Sequence, residues 1–297
     1  MRVLITGAAG FIGSHLADAM LFADNEVAGI DNLSTGRQEN VPAGVDLTVG
    51  DIRQRVPRGK WDLIFHCAAS YRDRADWEGD ATTNVDGTIA VVREAMRAGA
   101  KLVYFQTSLC YGPAARSPIS PGDALAPQGS YAVSKTAGEA FIRDSGVEWV
   151  SLRLANIYGP RNLSGPPPTF YQRLAAGKPC TVVDTRRDFV YIDDLVDVAQ
   201  RAAAYGQGVY HVSSGSDHAI VDLYHAVADA MGNGAPEPEV TPRGEDDVAS
   251  LLLDPAETFL GLGWKASTPL AAGIARAVAW YETHGVTETF THLKVAG

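Results

Sequence analysis

The hydrophobic positions of this chain fall into short β-branched and aliphatic runs separated by stretches with helical spacing. The runs are Val3 to Thr6, Glu26 to Ile30, Val45 to Val49, Trp61 to Phe65, Lys101 to Gln106 and Glu148 to Leu154. Each has the length and composition of a buried strand. Between them, apolar residues at three- and four-residue intervals predict helices that start at Phe11, cover Thr82 to Ala98 and cover Ser130 to Ile142. Strands alternating with helices in this way predict an α/β fold with a doubly wound parallel sheet of the Rossmann kind.

From about Pro160 the pattern changes. Gly165-Pro166-Pro167-Pro168 reads as a break, and the segments beyond it are shorter and more mixed. Helices are expected over Thr169 to Ala176, Asp222 to Met231 and Leu270 to His284, and a strand edge followed by a helix over Asp188 to Ala204. Cys180 to Val183 reads as a short strand, and Val209 to Ser213 as a strand returning to the main sheet. The expected organisation is a cofactor domain over 1–160, with roughly 186–212 returning to it, and a smaller mixed α/β lobe over 161–185 and 213–297.

The first strand-to-helix turn carries the first chemistry. Gly7, Gly10 and Gly13 fall on it, with Phe11 and Ile12 opening the helix. Glycine lets backbone approach a pyrophosphate, and the helix N-terminus offers unpaired N–H groups and a positive dipole end to it. The second run ends at Asp31, followed by Asn32. An acid there suits the ribose hydroxyls of NAD and repels the extra phosphate of NADP. After the third run, Asp51 and Ile52 stand where they can meet the adenine, with a turn aspartate as the alternative for Asp51. After the fourth, Ala68 and Ala69 are small enough for a cofactor to lie on the backbone. Asn84, near a predicted helix start, is open to a capping role as well as a cofactor contact.

Composition narrows the partners. The net charge of −10 argues against nucleic acid and anionic membranes, so an anionic substrate needs a local cluster of arginines. Cys67, Cys110 and Cys180 are too few and too scattered for a disulfide framework. Met1 to Ile5 is too short for a signal-peptide core, and no apolar run reaches the roughly 18 residues of a spanning helix. A cytoplasmic location is therefore expected. The histidines show no metal-ligand spacing, and no metal is expected.

Tyr131 and Lys135 are four apart on a predicted helix and share a face. A lysine ammonium beside a phenol favours the phenolate, which suits an acid/base residue. Thr107 closes the fifth strand, at the end where such sheets place ligands.

With these stretches assembled, the chain resembles an extended short-chain dehydrogenase/reductase of the NAD-dependent sugar-nucleotide epimerase/dehydratase family. The matching motifs include Thr6-Gly-Ala-Ala-Gly-Phe-Ile-Gly13, His66-Cys-Ala-Ala69, Asn84-Val-Asp-Gly-Thr88, Tyr131-Ala-Val-Ser-Lys135, Arg153-Leu-Ala-Asn-Ile-Tyr-Gly-Pro160 and Arg187-Asp-Phe-Val-Tyr-Ile-Asp-Asp194. Gln106-Thr-Ser-Leu-Cys-Tyr-Gly112 looks most like epimerases of bacterial O-antigen gene clusters. The resemblance implies NAD as cofactor, a nucleotide-diphosphate sugar as substrate, with a UDP-sugar favoured, and a homodimer. Tyr131 would be the acid/base, Lys135 would hold the nicotinamide ribose, and Thr107 would bind the reacting sugar oxygen. Ser108 and Asn156 would contact substrate, and Arg187 and Arg243 would meet its diphosphate. An ion pair with Asp188 or Asp193 is the alternative role for Arg187. Tyr71, Arg72 and Arg74 are candidates for the sugar pocket.

The departures decide the chemistry. Dehydratases of this kind carry an acidic pair after the strand-end threonine, and decarboxylases a glutamate in the second of those positions. Here those positions are Ser108 and Leu109, which cannot take a proton from carbon. Cys110 is next, readable as a carbon base or, more plainly, as a small core thiol. The expected reaction is C4 epimerisation of a UDP-hexose through a transient 4-keto sugar. Dehydratase-like proton chemistry, net dehydrogenation or reduction, and a non-catalytic NAD-binding protein are the alternatives.

Overall fold

A computed structural model describes residues 1–71, 73, 75–114, 116–232, 234–244, 250–286 and 288–289. The six apolar runs form strands β1 (Arg2–Thr6), β2 (Glu26–Asp31), β3 (Asp46–Val49), β4 (Leu63–His66), β5 (Lys101–Thr107) and β6 (Trp149–Leu154). After them come β7 (Asn156–Tyr158), β8 (Thr181–Val183), β9 (Arg186–Arg187), β10 (Phe189–Tyr191) and β11 (Gly208–Val212). The last strands are β12 (His218–Ala219), β13 (Glu239–Thr241) and β14 (Ser250–Leu251). The main sheet has seven strands in the order β11-β6-β5-β4-β1-β2-β3, and every pairing in it is parallel.

Neighbouring residues of one strand bury themselves in opposite layers. Val3 and Ile5 join a core that runs on into the C-terminal part of the chain, through Tyr224, Trp264 and Tyr281. Leu4 joins the other core, with Ile64, Leu102, Val91 and Ile142. Both faces of the sheet are therefore covered, which is why its strands read as continuous apolar runs rather than alternating ones.

The helices are α1 (Phe11–Phe22), α2 (Trp77–Ala81), α3 (Thr88–Ala98), α4 (Ser130–Asp144), α5 (Pro166–Ala175), α6 (Ile192–Tyr205), α7 (Ile220–Ala230), α8 (Ala256–Leu262) and α9 (Leu270–His284). The helix expected from Thr82 begins earlier, at Trp77, and passes from α2 to α3 through a π-helical turn over Thr82–Gly87. The run of prolines expected to break the chain instead starts α5. Proline at the first helical positions costs no hydrogen bond, because those N–H groups have no partner within the helix. Of the segment 186–212, α6 and β11 return to the main sheet, whereas β9 and β10 pair outside it. β9 lies between β12 and β14, β10 pairs with β7, and β13 with β8. No helix among the described residues is long and apolar enough to cross a membrane.

Candidate active site

One cleft of about 570 Å³ runs along the C-terminal ends of the strands, within the roughly 300–1,000 Å³ usual for small-molecule sites. Its floor is the turn between β1 and α1. Gly7 has φ +70°, and a Cβ there would lie 2.8 Å from Ala68 N. A Cβ on Gly13 would sit 2.1 Å from Gly7 O, so backbone passes over backbone with no room between. Gly7, Gly10, Phe11, Ile12 and Gly13 all line the cleft, as do Ala68 and Ala69. No side chain caps the N-terminus of α1, which leaves it available to an anion.

Asp31 is buried at the tip of β2, where its carboxylate accepts from Ala9 N at 3.0 Å and Leu33 N at 2.8 Å. Burial pushes its pKa up, against the backbone donors that pull it down. It thus braces the glycine turn while lining the cleft beside Asn32. Asp51 and Ile52 line it too, but Asp51 also accepts from the Arg53 guanidinium, at 2.6 Å from Nη2. That contact holds the Asp51 carboxyl below its ordinary range and takes up acceptor capacity expected for adenine.

Asn84 does not line the cleft. It is buried within the π-helical turn rather than at a helix start, and its amide pairs with Ser70 N at 2.9 Å, Ser70 O at 3.0 Å and Ser134 Oγ at 3.0 Å. It fixes Ser70, which does line the cleft, and ties the segment to α4.

Thr107, Tyr131 and Lys135 converge on the cleft wall. The Thr107 hydroxyl accepts from Leu109 N at 3.2 Å, leaving its own proton free to donate. Lys135 is 2% exposed, and its ammonium lies 3.9 Å from the centre of the Tyr104 ring. Its carbonyl accepts from Tyr104 OH at 3.0 Å and Gln106 Nε2 at 3.1 Å. Burial brings the Lys135 pKa down to about 7, with Cys67 and Glu139 opposing. Tyr131 moves the other way. Burial raises its phenol, and Tyr71 and Asp80 raise it further, so the lowering expected from a neighbouring lysine is not present in this cleft.

The substrate-side residues are less gathered. Asn156 lines the cleft and donates Nδ2 to Asp188 O at 3.0 Å. Ser108 is buried and lies outside the lining. Arg187, on β9, donates to Arg186 O at 2.8 Å, and Arg243 is exposed after β13; neither lines the cleft. Arg72 and Arg74 are outside the described residues; Tyr71 lines the cleft. Residues that sequence reasoning missed include Asp76, Gly79 and Thr83 on one wall and Asn162, Leu163 and Ser164 on another. The only signal for the second group is its place just after Tyr158-Gly-Pro160.

Cys110 is fully buried among Tyr111, Ile119, Leu251 and Leu253, and burial pushes its thiol up to about 12. It is a core residue outside the cleft lining. Behind the cleft, Arg153 pairs with Glu139 at 2.8 Å and donates to Tyr111 OH at 2.6 Å; Tyr111 OH meets His211 Nε2 at 2.6 Å. This buried network joins α4 to β6 and β11, and His211 Nδ1 lies 3.1 Å from Asp254 O, just before α8. No group of three or more metal-binding side chains occurs among the described residues.

An uncapped helix N-terminus over an unfillable glycine turn, facing an acid on the next strand, fits a dinucleotide. With a threonine, tyrosine and lysine set opposite, this is the site of a dinucleotide-dependent enzyme on a Rossmann sheet. The model of the NAD dependent epimerase/dehydratase family matches residues 3–213, and the chain belongs to that family. Among solved structures, the Bordetella bronchiseptica enzyme WbmH in complex with NAD+ is 43% identical, with a TM-score of 0.92 over 96% of this chain and 99% of that one. WbmG of the same organism, in complex with NAD and UDP, is 43% identical, with a TM-score of 0.90 over 99% of this chain and 98% of that one. The UDP-glucose 4-epimerase of Mycolicibacterium smegmatis is 34% identical over 311 aligned positions, covering 95% of this chain and 98% of that protein.

Proposed function

We infer that the chain is an NAD-dependent nucleotide-sugar epimerase acting at C4 of a UDP-hexose. One observation carries the reaction type: Thr107, Tyr131 and Lys135 share a cleft, and the residues that follow Thr107 bring no carbon base to it, since Ser108 and Leu109 have none and Cys110 is buried in a core cluster outside the lining. The choice of a uridine nucleotide rests on the relatives, one of which binds UDP and one of which is named for UDP-glucose.

Gly7, Gly10, Phe11, Ile12 and Gly13 would hold the NAD diphosphate, Asp31 and Asn32 its adenosine ribose, and Asp51 and Ile52 its adenine. Ala68, Ala69 and Lys135 would receive the nicotinamide half, with Asn84 acting through Ser70. Bound there, NAD supplies a reversible hydride acceptor. Tyr131 takes the proton of the sugar C4 hydroxyl as that carbon is oxidised, and returns a proton when the 4-keto sugar is reduced on its other face. The Thr107 hydroxyl donates to the same oxygen in both directions. Asn156 would meet the substrate diphosphate.

Arg187 and Arg243 can join it only if their segments close on the cleft, and Ser108 only if its turn shifts. The division proposed for the chain is a cofactor part over 1–160, joined by the return of α6 and β11, and a substrate lobe built from the rest. A homodimer is supported by exposed apolar side chains on α3 and α4: Met96 at 57%, Val133 at 49% and Phe141 at 49%. The test is incubation of the purified protein with UDP-glucose, UDP-galactose and their 2-acetamido counterparts, without added NAD, followed by chromatography. Conversion of one C4 epimer into the other is expected. Loss of water or carbon dioxide, or net NADH, would contradict the reading.

A further inference from the structure

An acidic chain that takes a nucleotide diphosphate needs a cation in its cleft, and Arg187 and Arg243 do not line it. Among the described residues four cations do: Arg37, Arg53, Lys135 and Arg161. Lys135 stands in the wall with Thr107 and Tyr131. Arg53 is clasped by Asp51, through Nε at 3.0 Å and Nη2 at 2.6 Å. Arg37 follows Gly36, where a Cβ would lie 2.8 Å from Asp31 Oδ1, so both arginines sit at the adenosine end. Arg161 stands apart from them. It lies in the turn between β7 and α5, directly before the lining residues Asn162, Leu163 and Ser164.

Arg161 has φ +65°, a region that a side chain enters only at a cost. Its turn is docked on α1: His15 Nε2 donates to Pro160 O at 3.0 Å, and Arg161 Nη1 donates to Asp18 Oδ2 at 2.7 Å. His15 in turn meets Phe11, the first residue of α1, edge to face at 5.7 Å. The ion pair does not account for the backbone. Its side chains are 23% and 45% exposed, and a pair so open to water stabilises less than a left-handed arginine costs. Among the described residues the guanidinium makes no other bond, so Nε and Nη2 still have protons to give. Helix side chains lean toward the N-terminus, so Asp18 holds that guanidinium on the side of the uncapped, positive end of α1.

We propose that Arg161 binds the diphosphate of a nucleotide in this cleft, exchanging Asp18 for phosphate oxygens when the ligand arrives. This rests on the reading of the cleft as a site for NAD and a nucleotide sugar. The diphosphate has two sources, cofactor and substrate, because the turn touches α1 on one side and leads into the proposed substrate wall on the other. A fork of N–H groups suits either.

The experiment uses Arg161→Asn, since asparagine tolerates a left-handed backbone while removing the charge. NAD retained through gel filtration is measured by chromatography after denaturation. UDP affinity is measured by calorimetry on NAD-saturated protein, so neither readout needs turnover. The variant should shed NAD, or bind UDP about 10- to 100-fold more weakly and with less dependence on salt. A loss confined to NAD assigns Arg161 to the cofactor, and one confined to UDP assigns it to the substrate. Asp18→Asn frees the guanidinium and should tighten the same nucleotide by about twofold. Should Arg161→Asn not fold, Arg161→Gly carries the same expectations without the backbone cost. Unchanged NAD retention and UDP affinity overturn the proposal, as do equal losses in the Arg161 and Asp18 variants, which would mark a mere brace between the turn and α1. Wild-type protein that binds no UDP, with an Arg161 variant that sheds NAD, would instead overturn the substrate assigned above.

Discussion

The two halves of the cleft are built on different principles. The half proposed for the cofactor is backbone: a glycine turn, a helix N-terminus and strand tips form it, and its close contacts are between atoms one to six residues apart or on adjacent parallel strands. The half proposed for the substrate is assembled from the loop at 162–165, the start of α5, the strand β7 and the wall around α2, segments that meet only in the folded chain. The first half leaves almost no freedom to substitute. The second can change its side chains without disturbing the sheet, which is how one scaffold can serve several sugars.

The sharpest way to break this comparison is Gly13→Ala. Its methyl would meet Gly7 O at 2.1 Å, so the turn must move, and we expect the purified protein to lose its NAD and at least about 100-fold in kcat. NAD released on denaturation and measured by chromatography checks this; an alanine variant that kept its NAD would show the turn to be yielding after all.

Lys135→Met comes next. Activity should fall by about 10²- to 10⁴-fold, while the NAD-free protein becomes more stable at neutral pH, because a buried ammonium is lost. Lys135 has a folded-state pKa of about 7 against an ordinary 10.5. Between those values the unfolded chain holds a proton that the folded chain has released, so wild-type stability from this group rises with pH across that window. The advantage of the variant should be full below pH 7 and gone above 10.5. Thermal melts at several pH values check it, and a constant difference would contradict the burial.

Leu163→Ala, on the substrate side, should alter KM several-fold and differently for different UDP-hexoses while leaving kcat and bound NAD within about twofold. Uniform kinetics across a sugar panel would remove that loop from specificity. The smallest chemical effect is expected from Cys110→Ala. Its thiol is a packing element, so the variant should melt lower, by about 1 kcal/mol, with kcat within about twofold.

The same division governs what could be read before the fold was seen. The glycine turn, Asp31, Thr107, Tyr131 and Lys135 are set by spacing along single elements, and all of them line the cleft. Asn84 was legible as a residue of note but not in its role, because Ser70 and Ser134, its partners, lie 14 and 50 residues away. β7, β12, β13, β14 and α8 are too short to show a period, and their pairing is decided by neighbours remote in the chain. The proline run misled because a helix start and a helix break use the same residue. Arg187 and Arg243 follow from the resemblance and from the charge a diphosphate needs, and neither says which face of a lobe a side chain occupies. The lowering of Tyr131 by Lys135 follows from the pair in isolation; burial, with Tyr71 and then Asp80, raises the phenol instead.

The most direct measurement of the chemistry is NMR of the purified protein turning over UDP-hexoses in deuterated water. Hydride removed from C4 and returned to its other face never exchanges with solvent. The C4 epimer should therefore appear with no deuterium on any carbon. Deuterium at C3 or C5, or an unsaturated or dehydrated product, would mean a proton taken from carbon, and would contradict epimerisation by Thr107, Tyr131 and Lys135.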